Sequence, residues 1–219
     1  GNFDRPGGNI YSRGFYPASK AGRIRGDIRY EDTAFGEVRR IRGSLPGNLL
    51  TDMIEAEENP IRGLIVVSGN PLLSMGTGSR LAKALEKLEF IMVIDIYPSA
   101  TSDYADYVLP ATDMFERADI NIAGLGLQKQ PFIQYTDFVV PPSAERRPEW
   151  WILRHIEQAQ GFDTDNADLE DYQATIDKLG LFKRFDHMLR QSDLDIASVK
   201  AEGTIVLPPV RSGHFFDNV

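Results

Sequence analysis

At 219 residues, with 42% hydrophobic and 26% charged residues, the chain is long enough to bury a core as one α/β domain with appendages or as two small domains. Its net charge of −8 argues against a nucleic-acid-binding surface, and no apolar run approaches the roughly 20 residues that span a bilayer. The chain has no cysteine, which excludes disulfides and any zinc or iron–sulfur site held by its own thiolates. In chain order, residues 1–43 are rich in Gly and Arg and show little periodicity; they read as an N-terminal arm with a basic run (Arg23, Arg25, Arg29, Arg39, Arg40, Arg42). Leu45-Pro46-Gly47-Asn48 is turn chemistry. Asn48 suits the N-cap of a helix through Glu58 that Asn59-Pro60 ends.

The next stretch, Gly63 to Ala111, organises the rest. Leu64–Val67 and Phe90–Ile94 are apolar at every position, as strands buried on both faces of a parallel sheet are. Leu81, Leu85 and Leu88 recur between them at helical spacing. Strand, helix and strand make a right-handed βαβ crossover, so the fold expected is an α/β, Rossmann-like open parallel sheet with flanking helices. Both strands run into polar loops on the same side, Ser68-Gly69-Asn70-Pro71 and Asp95-Ile96-Tyr97-Pro98-Ser99. Ligands bind open α/β sheets at that carboxyl edge.

Beyond Ala111, a helix or turn carries Met114 to Arg117, and Phe132–Val140 is β-rich, an extra short strand. Pro148 starts an amphipathic helix with Trp150, Trp151, Leu153 and Ile156 on its apolar side and Glu149 in its first turn. After Gly161 comes a helical C-terminal tail. An acidic opening from Asp163 to Asp171 leads into one helix, a second carries Phe182, Phe185 and Leu189, and a third runs from Asp193 to Ala201. Ile205–Val219 reads as an extended linker. The acidic spacing from Asp163 or Asp165 has two readings, a calcium loop and a helix N-terminus; calcium lacks its Gly at the sixth position and its Glu at the twelfth. The three histidines, His155, His187 and His214, show no ligand spacing. Gly76-Thr77-Gly78-Ser79 lacks the Lys of a nucleotide-binding P-loop.

The chemistry legible in the residues concentrates in the two loops. Gly69 permits close approach of backbone to a bulky ligand, Asn70 offers donors and acceptors, and Pro71 follows; the same three residues also make an ordinary turn. The helix starting near Ser79 would aim its amides at a pyrophosphate. Asp95 either accepts hydrogen bonds from ribose hydroxyls or a guanine edge, or caps a turn. Ser99 and Thr101 are cap residues or ligand contacts. Asp103 and Asp106 suit solvated surface sites better than an acid/base pair. Arg117 either grips phosphate or joins a surface ion pair, and Glu149 is either a ligand contact or a helix-start acid. No residue presents itself as a catalytic centre, and none as a metal ligand.

The string VVSGNPLLS, then KALEKLEFIMVIDIYPSATSDYADYVLPA, then Glu116, resembles the molybdopterin oxidoreductases of the dimethyl-sulfoxide-reductase type, such as formate dehydrogenases and nitrate reductases. The family signature is a strand ending in GNP, a second strand ending in Asp, a Thr/Ala-rich turn, AD, VLP and a Glu. The likeness covers roughly Leu49 to Ala159. It implies a fragment of such an enzyme: its third domain, residues 44–160, holding one guanine dinucleotide of a bis-molybdopterin guanine dinucleotide cofactor. Residues 161–219 then lead towards a further domain. Gly69, Asn70, Pro71, Asp95, Ser99, Arg117 and Glu149 become the cofactor-binding set. Arg117 falls at a basic position of the family, and Glu149 at an acidic one that is usually Asp.

The resemblance also implies that molybdenum or tungsten, and any iron–sulfur cluster, are held outside this stretch. The partners expected are the remaining domains of the parent, with no nucleic acid and no membrane, in the cytoplasm. The isolated fragment is expected to be inactive. Rival readings are a non-catalytic scaffold, as in the large subunit of respiratory NADH dehydrogenase, and an acetylene-hydratase-type lyase. Asn70, Asp95 and Arg117 together favour a cofactor binder. The Gly1 start and Val219 end read as cuts.

Overall fold

The computed structural model describes residues 5, 30–33, 35–40, 44–76, 78–121, 130, 132–162 and 194–207. Among these, the residues within 24–113 and 142–153 form one compact unit, and those within 1–23, 114–141 and 154–219 a second. The fold is mixed α/β, with a parallel sheet, helices, extra antiparallel strands and a helix near the C-terminus. The expected helices around Leu169 and Phe182 and the calcium-loop spacing lie outside the described residues.

The first unit opens with a hairpin inside the stretch read as an arm. Strands β1 (Tyr30–Thr33) and β2 (Gly36–Arg39) pair antiparallel, Tyr30 opposite Arg39 and Thr33 opposite Gly36. So tight a reversal needs a left-handed residue, and Gly36 takes it at φ 87°. Arg40 of the basic run pairs with Glu31.

A 3-10 turn over Gly47–Leu49 leads into helix α1 (Leu50–Ile54). The helix expected from Asn48 to Glu58 is thus shorter at both ends. Asn48 lies within the 3-10 turn, whose cap position is Pro46. Glu55, Glu57 and Glu58 would bring like charges to the negative end of the helix dipole, and Asn59, placed before Pro60, turns left-handed at φ 49°.

The core sheet consists of β3 (Gly63–Val67), β4 (Phe90–Asp95) and β5 (Tyr107–Pro110), all parallel, in the order β3-β4-β5. Leu64, Val66, Ile91 and Val93 lie on one face, against Leu81, Ala84 and Leu85 of the crossover helix α3 (Gly78–Leu85) and Ile54 of α1. Leu88, read as the third member of that stripe, sits beyond the helix end but still packs on the core. Only the central strand matches the expectation of burial on both faces. Val93 and Ile94 are fully buried, whereas Ile65, Val67 and Tyr107 on the flanking strands are 45%, 41% and 59% exposed. A strand at the edge of a three-stranded sheet has one neighbour, so its apolar residues lack the cover that a wider sheet supplies.

An ion network ties α1 to α3. Arg80 reaches Asp52 at 2.6 Å and Glu55 at 2.8 Å, and Lys87 reaches Glu55 at 2.8 Å. The hydrogen bonds from Lys87 and then Arg80 hold the Glu55 carboxyl below its ordinary pKa. A depressed carboxylate stabilises the fold above its unfolded pKa and loses that contribution as pH falls through the folded value. Glu55→Gln is therefore expected to lower the urea midpoint at pH 7. The difference from wild type should close as pH drops below about 4.3, where a free glutamate takes up its proton. A gap unchanged at acid pH would show that the network contributes nothing through charge.

The second unit contains an antiparallel sheet in the order β6 (Asp119–Ile120), β7 (Phe132–Thr136), β8 (Thr204–Val206). Strand β7 stops at Thr136, short of the expected Val140. Ile205 and Val206, read as linker, pair with β7 instead, with Ile205 opposite the fully buried Ile133. That pairing is non-local, so no local pattern announces it. Met114 to Arg117 form a turn.

Helix α4 (Glu149–Ala159) starts one residue after Pro148, whose carbonyl accepts from the Trp151 and Ile152 amides. Helix α5 (Ile196–Glu202) is capped by Asp195, whose Oδ1 accepts from the Ser198 amide at 2.7 Å, and it ends at Gly203 with φ 70°.

Candidate functional site

Parallel strands end on one side, and in the first unit that carboxyl edge gathers Ser68-Gly69-Asn70-Pro71 after β3 and Asp95 to Thr101 after β4. The chain after β5 adds a further parallel bridge, Ala111 to Arg147. The Arg147 amide donates to Pro110 O and the Thr112 amide to Arg147 O, each at 3.1 Å. Two residues later Glu149 begins α4, and its Oε1 accepts from Ser68 Oγ at 3.2 Å. Six of the seven residues of the expected cofactor-binding set, Gly69, Asn70, Pro71, Asp95, Ser99 and Glu149, thus fall on the same edge.

The first loop departs from its simplest reading. The left-handed residue is Ser68, at φ 52°, with its amide donating to Ile94 O at 2.9 Å. Gly69 has no positive φ, and a Cβ there would meet only Val67 O at 3.7 Å and Val66 Cγ1 at 3.9 Å, ordinary contacts. Nothing among the described residues requires glycine at that point. Pro71 is buried and starts helix α2 (Pro71–Ser74), with Asn70 at its N-cap. This short helix, rather than the one beginning at Gly78, follows the loop directly. Asn70 Oδ1 accepts from Thr101 Oγ1 at 2.8 Å, and Thr101 Oγ1 accepts from the Leu72 amide at 3.3 Å.

In the second loop, Asp95 Oδ1 accepts from the Ile96 amide at 2.7 Å, and Oδ2 has no hydrogen-bond partner among the described residues. Ser99 closes the 3-10 turn over Ser102–Tyr104. Its amide donates to Ser102 Oγ at 2.8 Å and its carbonyl accepts from the same hydroxyl at 2.7 Å. Ser99 therefore shapes the loop. Asp106 is exposed, as expected, and its Oδ2 also accepts from the Ile91 amide at 2.7 Å, pinning the start of β4. Asp103 is exposed in the 3-10 turn.

Arg117 belongs to the second unit, with Nη2 3.6 Å from Asp119 Oδ2. Arg147, in the first unit, was not singled out from sequence. Its Nη1 donates to Arg146 O at 2.7 Å and its guanidinium lies 5.5 Å from the centre of the Trp151 ring. Ser68 was also missed as a site residue; its neighbours Gly69 and Asn70 were the available signal. The described residues hold no group of three or more metal-ligating side chains and no helix long and apolar enough to cross a membrane.

Chemically, the edge offers a carboxylate with an open oxygen (Asp95), a carboxamide whose N–H groups have no partner among the described residues (Asn70), and a glycine that leaves room above the backbone. That set fits a nucleotide: a carboxylate for ribose hydroxyls or the donor edge of guanine, amide N–H groups for phosphate oxygens.

The family model described as molybdopterin oxidoreductase matches residues 14–159. The chain is 27% identical over 158 residues to a probable oxidoreductase, YyaE, of Bacillus subtilis, covering 72% of this chain and 22% of that protein. It is 33% identical over 125 residues to trimethylamine-N-oxide reductase 1 of Escherichia coli, covering 57% of this chain and 14% of that one. Among solved structures, acetylene hydratase from Pelobacter acetylenicus shares the fold with a TM-score of 0.54 at 18% identity, over 74% of this chain and 20% of that one. The chain thus spans about a fifth or less of the length of these relatives. With a family match running through both loops of the carboxyl edge, the chain belongs to the molybdopterin oxidoreductase family.

Proposed function

We propose that this chain is the dinucleotide-holding part of a molybdopterin-dependent oxidoreductase, with residues 44–160 binding one guanine dinucleotide of a bis-molybdopterin cofactor. The observation that carries the reading is the convergence of Asn70, Asp95 and Glu149 on the carboxyl edge of a parallel sheet. When bound, the cofactor would supply two-electron chemistry at molybdenum or tungsten; this chain's residues bind and orient it. In the proposal Asp95 takes the ribose or the guanine edge. Asn70 takes phosphate oxygens, Gly69 and Pro71 set the backbone approach, and Ser99 shapes the loop that carries these contacts. Ser68 and Glu149 close the side nearest α4.

The isolated chain has no redox activity in this reading, because metal and clusters belong to other parts of the parent. A parent that hydrates rather than oxidises would use the same edge in the same way, since holding the dinucleotide is independent of the chemistry at the metal.

The test is a titration of the isotope-labelled chain with guanosine diphosphate, followed by amide NMR. Saturable shifts confined to residues 68–71, 95–101 and 149, with adenosine diphosphate binding more weakly, are expected. Shifts that are absent, or that centre elsewhere, would reject the proposal.

A further inference from the structure

We infer that Thr101 is the positioning residue of this edge: its buried hydroxyl orients the Asn70 carboxamide so that Asn70 offers a ligand only hydrogen-bond donors. The identity of the ligand, a nucleotide with acceptor oxygens, rests on the proposed function above; the orientation does not.

Asn70 stands at the N-cap of α2, where asparagine ordinarily turns its oxygen onto an amide of the first turn. Here it makes no such cap bond. The amide of Leu72, the second residue of α2, donates instead to Thr101 Oγ1, which comes from the loop after β4. Thr101 is fully buried. The Leu72 N–H can only donate, so Oγ1 accepts there, and its single proton goes to Asn70 at 2.8 Å.

The Asn70 atom facing Thr101 must therefore be the acceptor Oδ1. A flipped carboxamide would strand the hydroxyl proton where water cannot reach it. With Oδ1 engaged, the other end of the carboxamide, Nδ2 with two N–H groups, has no partner among the described residues. Thr101 thus performs the capping duty that would otherwise consume Asn70 and leaves Asn70 with donors alone. Such a group selects acceptor atoms, as phosphate oxygens are, and rejects cationic donors.

The test uses the isotope-labelled chain, reading the Asn70 side-chain amide signals with and without guanosine diphosphate. Thr101→Val, isosteric but without the hydroxyl, is expected to move the Asn70 amide signals and weaken guanosine diphosphate about tenfold, the effect of one lost hydrogen bond. Thr101→Ser should restore both, and the backbone spectrum should stay dispersed in each. Asn70→Asp, which exchanges donors for an acceptor while keeping the Thr101 bond, should lose binding as fully as Asn70→Ala does.

Unmoved Asn70 signals in Thr101→Val would overturn the inference, as would equal losses in Thr101→Ser and Thr101→Val. Wild-type binding by Asn70→Asp would overturn it even if the valine variant does not fold. A wild-type chain that ignores guanosine diphosphate would reject the proposed function and the nucleotide half of this inference. The Thr101 orientation would then stand or fall on the unliganded spectra.

Discussion

Under the proposed function, Asp95→Ala in the full-length parent is expected to strip most of the guanine nucleotide and molybdenum from the purified protein, while Asp103→Ala leaves both at wild-type levels. Asp95 ends the central strand of the parallel sheet, the one strand with neighbours on both sides. Its half-buried carboxylate has one oxygen fixed by the Ile96 amide at 2.7 Å. The second oxygen faces no hydrogen-bond donor among the described residues, so a ligand donor gains a pre-oriented, charged acceptor. Removing a charged partner from such a bond in a buried complex costs about 2–5 kcal/mol, enough to empty a site. Asp103, exposed in the 3-10 turn, has no such role.

Asp95→Asn separates the two readings of this residue. Its Oδ1 can still accept from Ile96 and hold the loop, but the charge is gone. Low loading in Asp95→Asn marks a ligand contact. Full loading in Asp95→Asn, with low loading in Asp95→Ala, marks a loop cap.

Leu81→Ala is expected to cost about 2–5 kcal/mol of stability, as a large-to-small change at a fully packed position does. Leu81 is fully buried, on the face of α3 that meets Val66, Ile91 and Val93 of the parallel sheet. The alanine would leave a cavity between helix and sheet that neither element can close without losing its register. Leu73→Ala on α2, 78% exposed, should stay within about 0.5 kcal/mol of wild type. Urea unfolding followed by circular dichroism reads both. A small effect at Leu81 would mean that the crossover helix does not anchor this unit.

How much of this was legible beforehand differs by element, for physical reasons. The βαβ crossover was legible because its signal is local. Leu64–Val67, Leu81 with Leu85, and Phe90–Ile94 carry their periods within a few residues of one another, and the parallel pairing follows from the crossover rule. The end of α1 was less so, because the propensity of a Glu-rich stretch for helix competes with the helix dipole and with Pro60. Strand β8 could not be read at all. Thr204–Val206 becomes a strand by meeting Phe132–Gln134, some seventy residues earlier in the chain, and no window of sequence holds both.

The site divides in the same way. By itself, the sequence determined that Asn70 and Asp95 would stand on one edge, since parallel strands joined by a right-handed crossover must end together, and its motif identified the family. Tertiary structure alone decided which atoms remain open there. Ser68 reaches Glu149 across 81 positions, Thr101 reaches Asn70 across 31, and Asp106 turns back onto β4 across 15. Each of these is a hydrogen bond between segments distant in the sequence, and hydrogen bonds depend on direction and distance within a few tenths of an ångström. A residue type specifies that a donor or acceptor exists; only the packed backbone brings it to its partner, and that partner decides which end of Asn70 is left to meet a ligand.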